Sequence, residues 1–298
     1  MSSKIKVDTI ENVAGSGNVS LGSGHNLVVP GNNTTSGNAT VGGTLGVTGA
    51  STLTGDLTVD TSTLKVDSSN NRVGVGNASP LAVLDVKGNT DTFGTMAKVY
   101  LTDSNSNSAS RNWSVGNGGS AHGSFTISKS KLKDGNPSAS GTADNTLIID
   151  NLGRVTTPLQ PSFSVRSNAG NNGNTWEAGQ DIKFQLVDRN NGSHYATGTG
   201  RFTAPVAGFY HFNYSGFGYS AGRVPAAGTA SVQLRKNGTA VITGAYVEVN
   251  TSTGYPNCNF AFSLLLAVND YVTIRAQSNG QYADSSGLYT SFSGFLVG

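Results

Sequence analysis

Up to about residue 88 the chain alternates single apolar residues with small polar ones, punctuated by glycine. Examples are Thr44-Leu45-Gly46-Val47-Thr48-Gly49, Asp56-Leu57-Thr58-Val59-Asp60, Thr63-Leu64-Lys65-Val66-Asp67 and Arg72-Val73-Gly74-Val75-Gly76. Alternation with period two predicts short strands, each with one apolar edge and one wet edge. The leading apolar residues Leu45, Leu57, Leu64, Val73 and Leu84 follow one another at 12, 7, 9 and 11 positions, an uneven repeat. A strand with two apolar side chains cannot bury them alone, and these segments are too thin for a two-sided core within one chain. Winding identical chains about a common axis solves this, with Leu45, Val47, Leu57, Val59, Leu64 and Val66 of several copies meeting as a shared shaft core. The alternative is a flexible Gly/Ser/Thr/Asn linker, although a linker has no need of regularly placed Leu and Val.

From 89 to about 160 the alternating stretches lengthen, as in Ala97-Lys98-Val99-Tyr100-Leu101, Trp113-Ser114-Val115, Ser124-Phe125-Thr126-Ile127 and Thr146-Leu147-Ile148-Ile149-Asp150, between turn-rich clusters at 103–110 and 133–144. This predicts a small antiparallel β-domain with Trp113 and Phe125 in its core. From Pro161 onward the strands are longer and aromatics denser, with candidates at 162–166, 181–187, 200–203, 208–214, 231–235, 260–268, 270–276 and 289–296. Many short strands without a helical stretch predict a β-sandwich or jelly roll. Only this region is large enough to build its own core.

Composition agrees with an all-β chain. Of 298 residues 40 are glycine, and charged residues make up 12%, against about 25% in ordinary soluble domains; long surface helices would need more charge. With 36% hydrophobic residues and a net charge of +2 the chain falls outside the usual disordered class. Its 19 basic and 17 acidic residues are dispersed, with no basic stripe for a nucleic-acid backbone. The longest apolar run, Phe260 to Val268, is broken by Ser263 and falls short of a membrane-spanning helix, so no membrane insertion is expected. A lone Cys258 and a start without the apolar core of a secretory signal predict synthesis in a reducing cytosol.

Four motifs carry a resemblance. Gly200-Arg201-Phe202-Thr203-Ala204-Pro205-Val206-Ala207-Gly208-Phe209-Tyr210-His211-Phe212 comes first, followed by Val232-Gln233-Leu234-Arg235-Lys236-Asn237-Gly238. Leu264-Leu265-Leu266-Ala267-Val268-Asn269-Asp270-Tyr271-Val272 and the terminal Phe292-Ser293-Gly294-Phe295-Leu296-Val297 complete the set. Together they resemble the globular head of the complement q-subunit, within the tumour-necrosis-factor-like jelly rolls. Asn269 departs from the glycine common there, and asparagine enters the left-handed region readily. The resemblance implies a homotrimer packed about a threefold axis.

A second resemblance lies nearer the N-terminus. Lys4-Ile5-Lys6-Val7-Asp8-Thr9-Ile10-Glu11, the run at 53–60, the stretch from Asn71 to Val86 and Asp150-Asn151-Leu152-Gly153-Arg154-Val155 resemble fibre and tail-associated proteins of tailed bacteriophages, particularly those of marine and cyanobacterial hosts. In many of these a self-cleaving chaperone follows; here the chain continues into the jelly roll, so no autoproteolysis is expected.

Catalytic chemistry finds little support. His25, His122, His194 and His211 have no second histidine, cysteine or carboxylate at metal-ligand spacing, so no metal and no cofactor is predicted. Asp181 with Asp188, or Asp270 with Asp284, are the carboxylate pairs a polysaccharide-degrading spike would need if they met in space. Gly116-Asn117-Gly118-Gly119 lacks the Lys-Ser/Thr of a phosphate loop. Cys258 reads as a small buried residue. What remains is recognition by loop side chains of a sugar's apolar faces and hydroxyls, for which Tyr219, Arg223, Tyr255, Tyr282 and Asp284 are the candidates. Three weak sites per head gain avidity through effective concentration.

The expectation is an all-β, non-enzymatic homotrimeric bacteriophage tail fibre located on the virion. Its parts are a virion-attachment segment at 1–35 bound to a tail or baseplate protein, an intertwined β shaft at 36–88, a small antiparallel β-domain at 89–160, and a jelly-roll head at 161–298 that binds a host surface glycan or protein. The alternatives are a capsid-decorating fibre or structural tail component without receptor work, a bacterial adhesion protein with the same head, and a polysaccharide-degrading tailspike.

Overall fold

The computed structural model describes residues 28–30, 32–60, 63–88, 96–168, 175–219, 228–249, 257–278, 280–282 and 287–298. It divides into two units, Met1–Thr54 and Gly55–Gly298. No helix and no strand occurs among the described residues of the first unit, where Val41, Leu45, Val47 and Leu53 are exposed. The alternation at 44–49 forms no strand in a single copy because its backbone groups have no neighbouring strand to bond.

The second unit opens with a four-stranded sheet, β1 (Leu57–Val59), β2 (Leu64–Asp67), β3 (Arg72–Val75) and β4 (Leu84–Val86), in that order. The first two pairings are antiparallel, with Leu57 opposite Val66 and Leu64 opposite Val75; β3 and β4 run parallel, with Val73 opposite Leu84. Parallel neighbours normally need a longer crossover. Here the return is pinned by Asp85, whose Oδ2 accepts from the Leu81 amide at 2.9 Å and from Asn77 Nδ2 at 3.0 Å, and by Arg72 Nη1 donating to the Pro80 carbonyl at 2.9 Å.

Next comes a five-stranded antiparallel meander, β5 (Lys98–Leu101), β6 (Trp113–Asn117), β7 (Phe125–Ser130), β8 (Ala143–Ile149) and β9 (Val155–Thr156). The predicted core of this sheet needs correction: Trp113 is 39% and Phe125 38% exposed. The face the chain covers with its own 131–142 loop is instead polar. Ser114 Oγ donates to the Pro137 carbonyl at 3.1 Å, Ser128 Oγ to Asn145 Oδ1 at 2.7 Å and Ser130 Oγ to the Leu132 carbonyl at 2.7 Å.

The described residues of the head form twelve strands: β10 (Ser162–Arg166), β11 (Thr175–Trp176), β12 (Leu186–Asn191), β13 (Tyr195–Ala196), β14 (Arg201–Thr203), β15 (Gly208–Tyr219), β16 (Gly228–Lys236), β17 (Thr239–Val249), β18 (Asn257–Leu266), β19 (Tyr271–Ser278), β20 (Gly280–Tyr282) and β21 (Ser291–Leu296). One sheet runs β12-β10-β21-β15-β18, with β20 and β11 continuing beside the far end of β15; the other runs β13-β14-β19-β16-β17. Alternation sorts the residues between faces. Tyr210, Phe212 and Tyr214 of β15, with Phe163, Phe202, Leu234, Ile274 and Phe292, are buried between the two sheets. The Phe163 ring lies 4.9 Å from those of Phe202 and Phe292.

Two differences from the sequence reading are physical. Residues 181–185 bury Ile182 and Phe184 without a regular strand, since the Ile182 amide bonds the Ile274 carbonyl at 2.7 Å and the Phe184 amide bonds the Tyr195 hydroxyl at 3.1 Å. Strand β17, unread in the sequence, contains Ala240, Gly244 and Ala245, which blur its alternation.

Two of the four resemblance motifs close on one another at the end of the sandwich where the chain enters. Asp270 Oδ2 accepts from Lys236 Nζ at 2.8 Å and from the Ala267 amide at 2.8 Å, and its Oδ1 accepts from Asn237 Nδ2 at 2.7 Å. Asn237 Oδ1 in turn accepts from the Tyr271 amide at 2.9 Å. The turns on either side need left-handed backbone at Asn237 (φ 50°), Gly238 (φ 80°) and Asn269 (φ 68°), which explains how asparagine serves at position 269.

Candidate functional site

Aromatic residues at both parities of Gly208-Phe209-Tyr210-His211-Phe212 cannot all point inward. In β15 the even positions fill the core and Phe209 is left 46% exposed on the outward face. Phe209 pairs with Leu265, itself 67% exposed, and its backbone bonds Val297 and Gly298 on the other side. One step along, His211 lies between Ser263 and Phe295, its Nδ1 2.8 Å from Ser263 Oγ and its ring 5.5 Å from that of Phe295. Towards the far end the same face turns polar, with Asn213, Ser215, Ala261 and Asn259 exposed. The outward face is therefore apolar near the chain's entry and small and polar beyond it.

An open groove of about 700 Å³ adjoins this apolar patch, lined on one side by Val155, Thr157 and Pro158 and on the other by Arg189, Phe295 and Val297. Its geometry is fixed by bonds from the head to the incoming chain. Asn191 Nδ2 donates to the Pro158 and Gln160 carbonyls at 2.6 and 2.7 Å, Gln160 Nε2 to the Leu296 carbonyl at 2.7 Å, and Arg189 Nε to Ser162 Oγ at 2.7 Å. Arg189 is the one cation in the groove lining, and the rest is suited to packing rather than to chemistry. The sequence reading missed Phe209, Leu265 and Phe295; the signal was present in the aromatic pairs at successive positions of one strand.

Of the residues expected from the sequence to recognise a ligand, Tyr219 and Tyr282 stand on strands at the opposite end. Strand register places Tyr219 opposite Gly280 and Tyr282 opposite Thr175, so both backbones lie in the short β15–β20–β11 ribbon. Beneath the ribbon Trp176 and Gln281 are buried, with Trp176 Nε1 donating to Ser167 Oγ at 3.1 Å and the Tyr214 hydroxyl to Gln281 Oε1 at 3.0 Å. Arg223, Tyr255 and Asp284 lie outside the described residues. Strands β15 and β17 end, β16 and β18 begin, and the short β20 lies at this same end of the sandwich. Of the proposed shaft core, Leu45, Val47, Leu57 and Val59 are exposed, while Leu64 and Val66 are half-buried.

The carboxylates are engaged with cations rather than with each other. Asp181 accepts from Arg275 Nε at 2.8 Å, and Asp188 takes both ends of the Arg166 guanidinium at 2.7 and 2.8 Å, which lowers its carboxyl below the ordinary value. The hydrogen bond from Lys236, then those from Asn237 and the Ala267 amide, pull Asp270 down to about 2. Partial burial lowers His194 from its usual value. Cys258 is fully buried. Among the described residues no group of three or more His, Cys, Asp or Glu is placed to hold a metal ion.

Comparison with known proteins places residues 162–297 within the C1q domain. The collagen alpha-1(X) chain of Mus musculus is 35% identical over 124 residues, which is 40% of this chain and 16% of that protein. Among solved structures, the globular domain of zebrafish complement 1qA protein is 20% identical, spanning 47% of this chain and 98% of that one with a TM-score of 0.34. Eiger TNF from S. frugiperda is 12% identical over 47% of this chain and 94% of its own, with a TM-score of 0.36. Residues 162–297 of this all-β chain thus match the C1q domain and fold as two facing antiparallel sheets of a jelly roll.

Proposed function

We propose that the chain is a homotrimeric attachment fibre whose C1q-type head presents three sets of recognition loops to a cell-surface ligand. The observation that carries this reading is the outward sheet face bearing Phe209, Leu265 and Phe295, an apolar patch left exposed among the described residues. Threefold closure would bury it and leave the loops at the far end free. Those loops carry Arg223, Tyr255 and Asp284, and the ribbon beside them carries Tyr219 and Tyr282, a set suited to a glycan. The resemblance of the leading segments to phage fibres supports a place on a bacteriophage tail, with the N-terminal end held by a tail or baseplate protein. Asp181, Asp188 and Asp270 are each held by a cation, which favours binding over glycan cleavage.

The test uses the full chain. A mass of three chains in solution is expected, together with retention on host-type bacterial cells that is lost, by about tenfold or more given three linked sites, in the combined Tyr219→Ala, Arg223→Ala, Tyr282→Ala variant of unchanged mass. A monomer overturns the trimer; unchanged retention moves recognition away from these loops. Antibody labelling of phage particles tests the tail location.

A further inference from the structure

The five-stranded sheet of residues 98–156 is inside out for a single chain. Three rows of side chains cross its open face. Leu101 and Trp113 begin the first row, which ends in Lys129 and Asp144; Val99, Val115, Ile127 and Leu147 make the second; Phe125, Ile149 and Val155 dominate the third. None of these apolar residues is fully buried, and Val99, Leu101, Trp113, Phe125 and Val155 are exposed. The opposite face, which the 131–142 loop covers in part, carries Ser114, Thr126, Ser128 and Ser130, all buried, beside a half-buried Ile148 and an exposed Tyr100. Across five strands the open face covers on the order of 400 Å², comparable to the largest apolar patch of an ordinary monomer, which often serves an interaction.

We propose that this sheet is a second assembly module, whose open face packs against the same face of the other copies of this chain, so that its hydrophobic core is shared between them. This rests on the trimeric reading of the head. Two observations select a copy of the chain over a foreign partner. The charged groups at the end of the rows hold one another, Asp144 pairing with Lys129 at 3.0 Å and with Lys131 at 3.7 Å, so the described face offers no unpaired charge with which to choose a charged partner. The apolar surface also continues in both directions along the same chain. A groove of about 260 Å³ joins Val86 of β4 to Val99, Val115 and Phe125, and the 700 Å³ groove joins Val155 to Phe295 and Val297 beside the head patch. A rotation that brings the head patches of several copies together brings these faces to the same axis, whereas a foreign protein would have to match all three sheets at once.

Introduced cysteines in the full chain test this by copper–phenanthroline oxidation, which joins thiols that touch across the shared face into an interchain disulfide and needs no room for a bulky reagent; native Cys258 is buried within its own head. Ile127→Cys, at the centre of the face, is expected to give covalent dimers in most molecules on a denaturing gel. Ser140→Cys, exposed on the covering loop, and the parent chain are expected to give none. Val115→Cys, the cross-strand neighbour of Ile127, serves as the second variant should Ile127→Cys fail to fold. A chain of trimeric mass in which neither face cysteine links would overturn the shared core while leaving the trimeric head standing. A chain of monomeric mass would overturn both.

Discussion

Gly294 sits where two aromatic rings close over the backbone of β21. A methyl group added there would lie 2.6 Å from Phe212 Cδ1 and 2.8 Å from Phe163 Cε1, both atoms of fully packed rings that cannot swing away. Gly294→Ala is expected to destabilise the head by about 1–3 kcal/mol, the usual range for overpacking, and to lower its thermal midpoint in calorimetry. Asp270 gives a different kind of test. Its folded-state value of about 2 lies below the unfolded one, so its contribution is complete above about pH 4 and is lost as the pH falls through about 2. The midpoint of the parent chain is expected to drop over that acid range, and the drop is expected to be smaller in Asp270→Asn. At this scale the sequence was informative, because Lys236, Asn237, Asn269 and Asp270 stand in recognisable motifs; that they form one clasp was decided by strands that lie far apart in the chain.

At the level of elements, the outcome depended on which side of each strand found cover. Strand β15 is flanked by β18 along one edge and by β21 and β20 along the other, so its amides are bonded within a packed sheet. The two-residue β13 lies at the edge of its sheet. Hydrogen exchange is therefore expected to be slowest in β15 and orders of magnitude faster in β13; similar rates would mean that the sandwich opens as one body. In the 98–156 sheet, alternation gave the strands but misjudged the faces. Trp113 and Phe125 read as core because they are large and apolar, whereas the chain buried the serine face under its own loop. Size and hydropathy specify that a side chain needs cover, not which molecule supplies it.

For the molecule as a whole, one deficiency recurs in separate sheets: apolar residues uncovered at Leu57 and Val59, across the face of Val99 and Trp113, and at Phe209, Leu265 and Phe295. In the function proposed above, subunit assembly through these surfaces and recognition at the far end of the head would divide the chain's work between a core supplied by copies and loops left to the ligand. The amino-acid sequence by itself determined the all-β class and the jelly-roll head, because period two, glycine content and short motifs are local properties. Only the tertiary structure decided that the open face of the middle sheet is the apolar one, that the carboxylates at 181 and 188 bind arginines rather than each other, and that Phe209 points outward. Each of these depends on which distant strand arrives alongside, and strand pairing across the chain leaves no local trace in the residues it joins.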